Sequence, residues 1–336
     1  MADYVAPANN GVTASGAVNY ATEYSRALAM EFPYVLNFGA LYATPNNGRY
    51  RWVNAKTIEI PSISTTGRIN ADRDTIAFAQ RNYENAWETK TLTHQRKWST
   101  LVHPMDIDQS NMVASISNIT QAFNEFQKFP EMDAYLVSRL YALWTTNVAG
   151  DSAHDAYVGK TADTTVLTVE NVLSVFDNLM LKMDNARVPA NGRILYVTHE
   201  VKTLLKNAEK ISRSIDVTSN NHVIDRVVSR LDEVQVIGVP ATLMKTAYNF
   251  TTGWAPAVGA SQINMFLVHP IAVITPVSYA FARLDAPSAM SEGKYTYYEE
   301  SFEDVFILNK KADALQFNIT PSGSPTTTTT TTTTNG

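Results

Sequence analysis

The chain has 336 residues, of which 45% are apolar and 18% charged, with a net charge of −5 and no cysteine. That composition suits a folded chain with a sizeable core and excludes disulfides and thiolate metal sites. No run of about 18 apolar residues occurs, so no membrane-spanning helix and no membrane partner are expected. Residues 1–16 also lack the basic start and apolar stretch of a secretory signal.

Residues 1–19 are rich in Ala, Asn, Gly and Val without a period, and read as an extended arm. Tyr20, Tyr24 and Leu28 share a face at spacing four, the mark of a short helix over residues 20–30. Residues 32–42 are apolar and aromatic, and Thr44-Pro45-Asn46-Asn47-Gly48 is a turn. Thr57-Ile58-Glu59-Ile60 alternates polar and apolar until Pro61, which cannot donate to a ladder and favours an edge or a strand end. Residues 62–82 are polar and bury little. Residues 87–102 resume as one long strand, so the two strands and their polar middle make an extended hairpin. Such a hairpin has too little core to stand by itself.

Residues 108–147 read as helix, with Ile116, Ile119, Phe123 and Phe126 at spacings of three and four. Tyr135, Leu136, Leu140, Leu143 and Trp144 continue the pattern beyond Pro130. The proline ends one helix, starts another or kinks a single long one, and the sequence does not choose. Residues 151–165 form a connection. Thr168 is expected to cap a helix over residues 169–185, with Val172, Val175, Phe176, Leu179 and Met183 as its apolar stripe. Residues 193–197 form a buried strand, and Thr198 caps a helix over residues 201–209. Residues 233–239, 263–269, 272–276 and 295–308 are further strands. Irregular alternation of helices and strands points to the α+β class. Residues 321–336, nine consecutive threonines among them, have nothing apolar with which to pack and read as a disordered tail.

Charge is unevenly spread. Residues 49–103 hold nine Lys or Arg against five acids, a net +4, which leaves −9 on the remainder. A mildly acidic body is a poor general binder of nucleic acid. The basic segment has two readings: it meets the acidic surface of another copy, or it is a solvated hairpin.

Catalytic signatures are scarce. There is no nucleophile elbow, Walker loop or dinucleotide fingerprint. His199-Glu200 starts like a zinc-protease helix, but position 203 is Thr and the second ligand is missing. His103, Asp106 and Asp108 place an imidazole near two carboxylates, which could ligate a hard cation. The plainer reading is a strand-to-helix junction with Asp108 or Ser110 as the cap. No catalytic residue, metal site or cofactor is assigned.

The order of parts, arm, long hairpin, long helix and mixed core, resembles that of tailed-phage major capsid proteins. So does the wording of Lys56-Thr57-Ile58-Glu59-Ile60-Pro61, Arg81-Asn82-Tyr83-Glu84-Asn85 and Trp98-Ser99-Thr100-Leu101-Val102-His103-Pro104-Met105-Asp106. Gln127-Lys128-Phe129-Pro130-Glu131-Met132-Asp133 and residues 188–198 and 263–276 add to the likeness, which covers about residues 20–318. The resemblance implies the α+β Hong Kong 97-type fold. It implies an N-arm (1–42), an E-loop β-hairpin (43–105), and a P-domain with a spine helix (106–164 and 281–303). It further implies an A-domain (165–280 and 304–318) and a Thr-rich tail (319–336).

The implied function is non-enzymatic. Copies would assemble as hexamers and pentamers into an icosahedral shell around double-stranded DNA, held without sequence-specific binding. The protein would reside in the virion and assemble in the bacterial cytoplasm with a separate scaffolding protein and a portal. Some members join subunits by Lys–Asn crosslinks; none is expected here. Lys56, Arg68, Arg73, Arg81 and Lys90 are the candidate contacts between subunits. The alternatives are an encapsulin-like compartment shell, which shares the fold, and an uncharacterised hydrolase.

Overall fold

The computed structural model describes residues 35–68, 81–110, 114–146, 159–208 and 230–322. The expected helix at residues 20–30, Arg73 and the threonine run lie outside these residues.

A short helix α1 (Gly39–Tyr42) opens the described chain. Phe38 and Leu41 are fully buried, so this end of the expected arm is part of the core. Strand β1 (Arg51–Asn54) pairs antiparallel with β2 (Thr57–Thr65), and β2 pairs with β3 (Tyr83–Thr91) in unbroken register from Thr57↔Thr91 to Thr65↔Tyr83. The long strand expected over residues 87–102 is broken. Leu92 turns into the core, and β4 (Gln95–Val102) leaves the hairpin for another sheet. Periodicity could not show the break, because alternation continues on both sides while the pairing partner changes.

Helix α2 (Pro104–Gln109) is capped by the His103 imidazole, whose Nδ1 accepts the Met105 N–H at 3.2 Å. Ser115 caps α3 (Ile116–Phe123). Asp108 and Ser110 therefore do not start the helix that follows. The helix passes through a π turn (Asn124–Lys128) into α4 (Phe129–Thr145). Proline lacks an N–H and its ring crowds the preceding turn. The wider turn just before Pro130 admits the ring, and one long helix results.

Helix α5 (Val172–Asn185) begins three residues later than expected. Ahead of it Thr168 and Asn171 bond each other's backbone N–H and the Thr168 carbonyl accepts the Val172 N–H, so Thr168 makes the capping contacts expected of it. Strand β5 (Ile194–Thr198) is buried along its whole length. Thr198 caps α6 (His199–Asn207) by accepting the Val201 N–H, as expected, although the helix starts earlier.

Strands β6 (Arg230–Leu231) and β7 (Val234–Val239) follow, then a small hairpin of β8 (Tyr248–Asn249) and β9 (Ala255–Pro256), then β10 (Gln262–Val268). Gly238 lets β7 approach α6: a Cβ there would lie 3.0 Å from His199 Nδ1. The strand expected at residues 272–276 shrinks to β11 (Val273–Ile274) behind a single 3₁₀ turn. Strand β12 (Val277–Asp285) pairs antiparallel with β13 (Tyr295–Glu303). The expected strand at 295–308 is interrupted at Asp304 before β14 (Phe306–Ile307). Strand β15 (Leu315–Thr320) completes the main sheet, so Ile319 and Thr320 belong to the fold and not to the tail.

The main sheet runs β15-β10-β5-β7-β6, with only β5 and β7 parallel. Alternate side chains serve two cores. Ile194, Tyr196, Phe266 and Phe317 face α4 with Phe38, Leu41 and Trp144. Leu195, Val197, Met265 and Leu267 face α5 and α6. A mostly antiparallel main sheet, with helices packed on it and smaller antiparallel sheets apart from it, gives the α+β class expected from the sequence. A third, smaller core joins Ile58, Ile60 and Leu92 to Ile274, Phe302 and Phe306, and it anchors the base of the hairpin.

Candidate assembly surfaces

The hairpin divides where Pro61 falls. Ile58 and Ile60 are buried, but from Pro61 to Thr65 no residue of β2 is. Directly opposed residues of an antiparallel pair share a face. Pro61 stands opposite Trp87 and Thr65 opposite Tyr83, with Ile63 between them on the same face. The exposure of Ile63 (64%), Tyr83 (54%) and Trp87 (43%) makes that face an apolar strip in solvent. Arg51 covers part of it, its guanidinium 4.0 Å above the Trp87 ring and 2.8 Å from Glu59.

The sheet β12-β13-β4 forms a second surface, against the long helix. Trp98 stacks on Phe123 with centroids 3.9 Å apart, and Lys128 pairs with Glu299 at 3.1 Å. Strand β12 lies at the sheet's edge and has no buried residue; Val277, Tyr279, Phe281 and Leu284 are exposed. These residues were missed in the sequence, although the alternation of Val277, Tyr279 and Phe281 with small residues is a strand signal.

Between hairpin and helix sits a buried carboxylate, Asp304. One oxygen accepts the Tyr135 hydroxyl, Arg139 Nε and the Val305 N–H. The other accepts the N–H and hydroxyl of Thr93, in the link between β3 and β4. His94 stacks on Tyr135 at 3.6 Å. Burial, aided by the nearby Arg96, holds the His94 imidazole down at about 4. Tyr135 is raised, first by burial and then by Asp304.

No protein-family model matches this sequence, and no curated protein matches it. Solved structures do. A chain of the mature capsid of bacteriophage PhiM1 matches with a TM-score of 0.64 at 12% identity, over 95% of this chain and 97% of that one. A chain of the capsid of cyanophage P-SCSP1u matches with a TM-score of 0.58 at 11% identity, over 90% and 93%. A chain from Mycobacterium phage Che8 matches with a TM-score of 0.57 at 13% identity, over 89% and 97%. The fold is that of a phage capsid protein, the Hong Kong 97 type.

Within this capsid fold the candidate residues separate. Arg68 is exposed just past β2, and Arg81 is exposed just before β3 with its guanidinium 5.0 Å from the Tyr83 ring. The Thr66 N–H donates to the Asn82 carbonyl, which brings both arginines to the outer end of the hairpin. Lys56 sits at the other end, in the turn between β1 and β2, 5.9 Å from the Phe302 ring. Lys90 faces inward. Its ammonium is 2.8 Å from Glu88 Oε1 and donates to Asn309 Oδ1 at 2.6 Å, while Glu88 also accepts the Asn309 N–H. Lys90 thus fastens the hairpin to the body of its own chain.

The described residues hold no cluster of three or more potential metal ligands. No described helix is long and apolar enough to cross a membrane. His103 is committed to its cap, and His199 packs on Gly238.

Proposed function

We propose that this chain is the structural subunit of a tailed-phage head. Copies associate as pentamers and hexamers and close an icosahedral shell around double-stranded DNA. The single observation that carries this reading is a strip of apolar side chains, Pro61, Ile63, Tyr83 and Trp87, on a hairpin that its own chain leaves in solvent, within a capsid fold. A monomer gains nothing from such a strip. A neighbouring copy that covers it removes it from water at about 25 cal/mol per Å². Repetition of one heterologous contact closes rings and then shells.

On this reading residues 1–42 are the N-arm and 43–105 the E-loop region, with the free hairpin limited to β1–β3. The P-domain combines 106–164 with 281–303, its spine helix running from Ile116 to Thr145. The A-domain combines 165–280 with 304–318. Arg68 and Arg81 place positive charge at the hairpin's outer end, where the acidic remainder of a neighbour sets the register. A net-negative wall does not trap packaged DNA. A scaffolding protein and a portal act with it in the bacterial cytoplasm, and the product is the virion. No catalytic role is assigned.

Negative-stain electron microscopy of purified protein tests the proposal. Closed shells of uniform diameter are the expected outcome, with nucleic acid inside particles from the native source. A monodisperse small species under every assembly condition overturns it. Protein cargo in place of nucleic acid transfers the chain to the compartment-shell reading.

A further inference from the structure

The front half of the long helix is only partly covered by the rest of the fold, with Phe123 stacked on Trp98 and Lys128 paired with Glu299. Residues 116–129 include Ile116, Ile119, Phe123, Phe126 and Phe129, yet none of the fourteen residues in this stretch is buried. From Pro130 to Thr145 half of the residues are. Between this half and edge strand β12 runs an open, mainly apolar groove of about 550 Å³. Ile116, Thr120, Asn124 and Phe129 line one wall, and Leu284 and Tyr297 line the other.

The helix residues form one stripe. Stacked neighbours are four apart in an α-helix. The π turn lengthens a single step to five, through the Phe129 N–H bond to the Asn124 carbonyl. The next residue on that stripe is Asp133. Its carboxylate accepts the backbone N–H of Asn37 at 2.8 Å and of Phe38 at 3.3 Å, and the Tyr42 hydroxyl donates to the Met132 carbonyl. Asn37 and Phe38 therefore meet the helix one turn beyond Phe129, at the end of the groove. Ile116 to Phe129 span about 20 Å at the helical rise, a distance that about six extended residues cover. Thirty-four residues precede Val35, and the nearest of them include Tyr24, Leu28, Met30, Phe32 and Tyr34.

We propose that residues 20–34 of the same chain fill this groove, with aromatic and aliphatic side chains against Ile116, Phe129 and Leu284. The segment would complete the burial of the front half of the helix and brace β12, which pairs on one side only.

The absence of native cysteine makes a disulfide a clean reporter. Leu284→Cys is combined in turn with Tyr24→Cys, Leu28→Cys, Met30→Cys and Phe32→Cys in the full chain. Each pair is oxidised mildly and read by gel mobility and peptide mass. The control series replaces the groove cysteine by Thr203→Cys, on the exposed side of α6. An intrachain bond in one or more groove pairs, above the control series, is the expected result. No bond in any pair overturns the proposal, as does bonding no greater than the control. Bonds formed only between chains also overturn it and give the groove to a second copy.

Discussion

The Tyr135 hydroxyl donates to the buried Asp304 carboxylate at 2.7 Å, and this contact joins the long helix to the corner where β13 ends. Thr93 and Arg139 bond the same carboxylate, so the root of the hairpin, the helix and the corner share one anion. Removing one side of a buried pair leaves the other uncompensated, at about 3–5 kcal/mol. Asp304→Ala is expected to destabilise the subunit on that scale, and Asp304→Asn by less, since an amide still accepts hydrogen bonds. Urea unfolding of unassembled subunits measures both.

His94 gives the subunit an acid-sensitive element. Its folded pKa of about 4 lies below the ordinary 6.5. Between those values the unfolded chain binds a proton that the native state does not. The stability due to this group is complete above pH 6.5, declines as pH falls towards 4 and is constant below. The span corresponds to on the order of 3 kcal/mol. His94→Phe keeps the stack on Tyr135 without the titration. The difference in unfolding free energy between pH 7 and pH 4 should shrink in this variant; an unchanged difference would assign the acid response elsewhere.

Lys90 and Lys56 were equivalent candidates in the sequence, and the structure predicts opposite behaviour. Lys90→Ala leaves Glu88, 5% exposed, as a buried carboxylate without its cation. A loss of about 3–5 kcal/mol in subunit stability is expected. Lys56→Ala removes an exposed side chain and should stay within about 0.5 kcal/mol. Thermal melting of the two variants side by side decides the matter.

Deletion of the hairpin's outer part should separate folding from assembly. Residues 63–85 can be removed and Ser62 joined to Ala86 through an Asn-Gly turn, which suits a two-residue hairpin. Ile58, Ile60, Glu88 and Lys90 remain to hold the base. The subunit should melt close to wild type and yield no shells by sedimentation. Wild-type particle yield from this deletion would show that the outer part of the strip, Ile63 and Tyr83, plays no part in assembly.

Reversal of Arg68, Arg73 and Arg81 to Glu should weaken assembly more than it lowers the melting temperature. The defect should also vary with ionic strength, since exposed charges are screened within about 10 Å at 0.1 M salt. Equal losses in assembly and melting would place these arginines in the service of the subunit's own fold.

The sequence by itself determined much of this protein. Apolar period assigned the stripe of α5, the buried strand β5 and the helical character of residues 116–145, because each side chain's partner lies on its own element or directly across a core. Thr198 declared its cap, and the polar stretch beyond Pro61 declared a hairpin unable to bury itself. Only the tertiary structure decided which elements those segments met. Alternation runs through residues 87–102 without showing that β3 pairs with β2 while β4 pairs with β13. Pro130 was ambiguous until the π turn before it supplied the room. Lys90 looked like any surface lysine until Asn309, more than 200 residues later, closed over it. The strand pairing and the burial of Lys90 each depend on a contact between residues remote in sequence, and a linear pattern holds no record of which remote residue arrives.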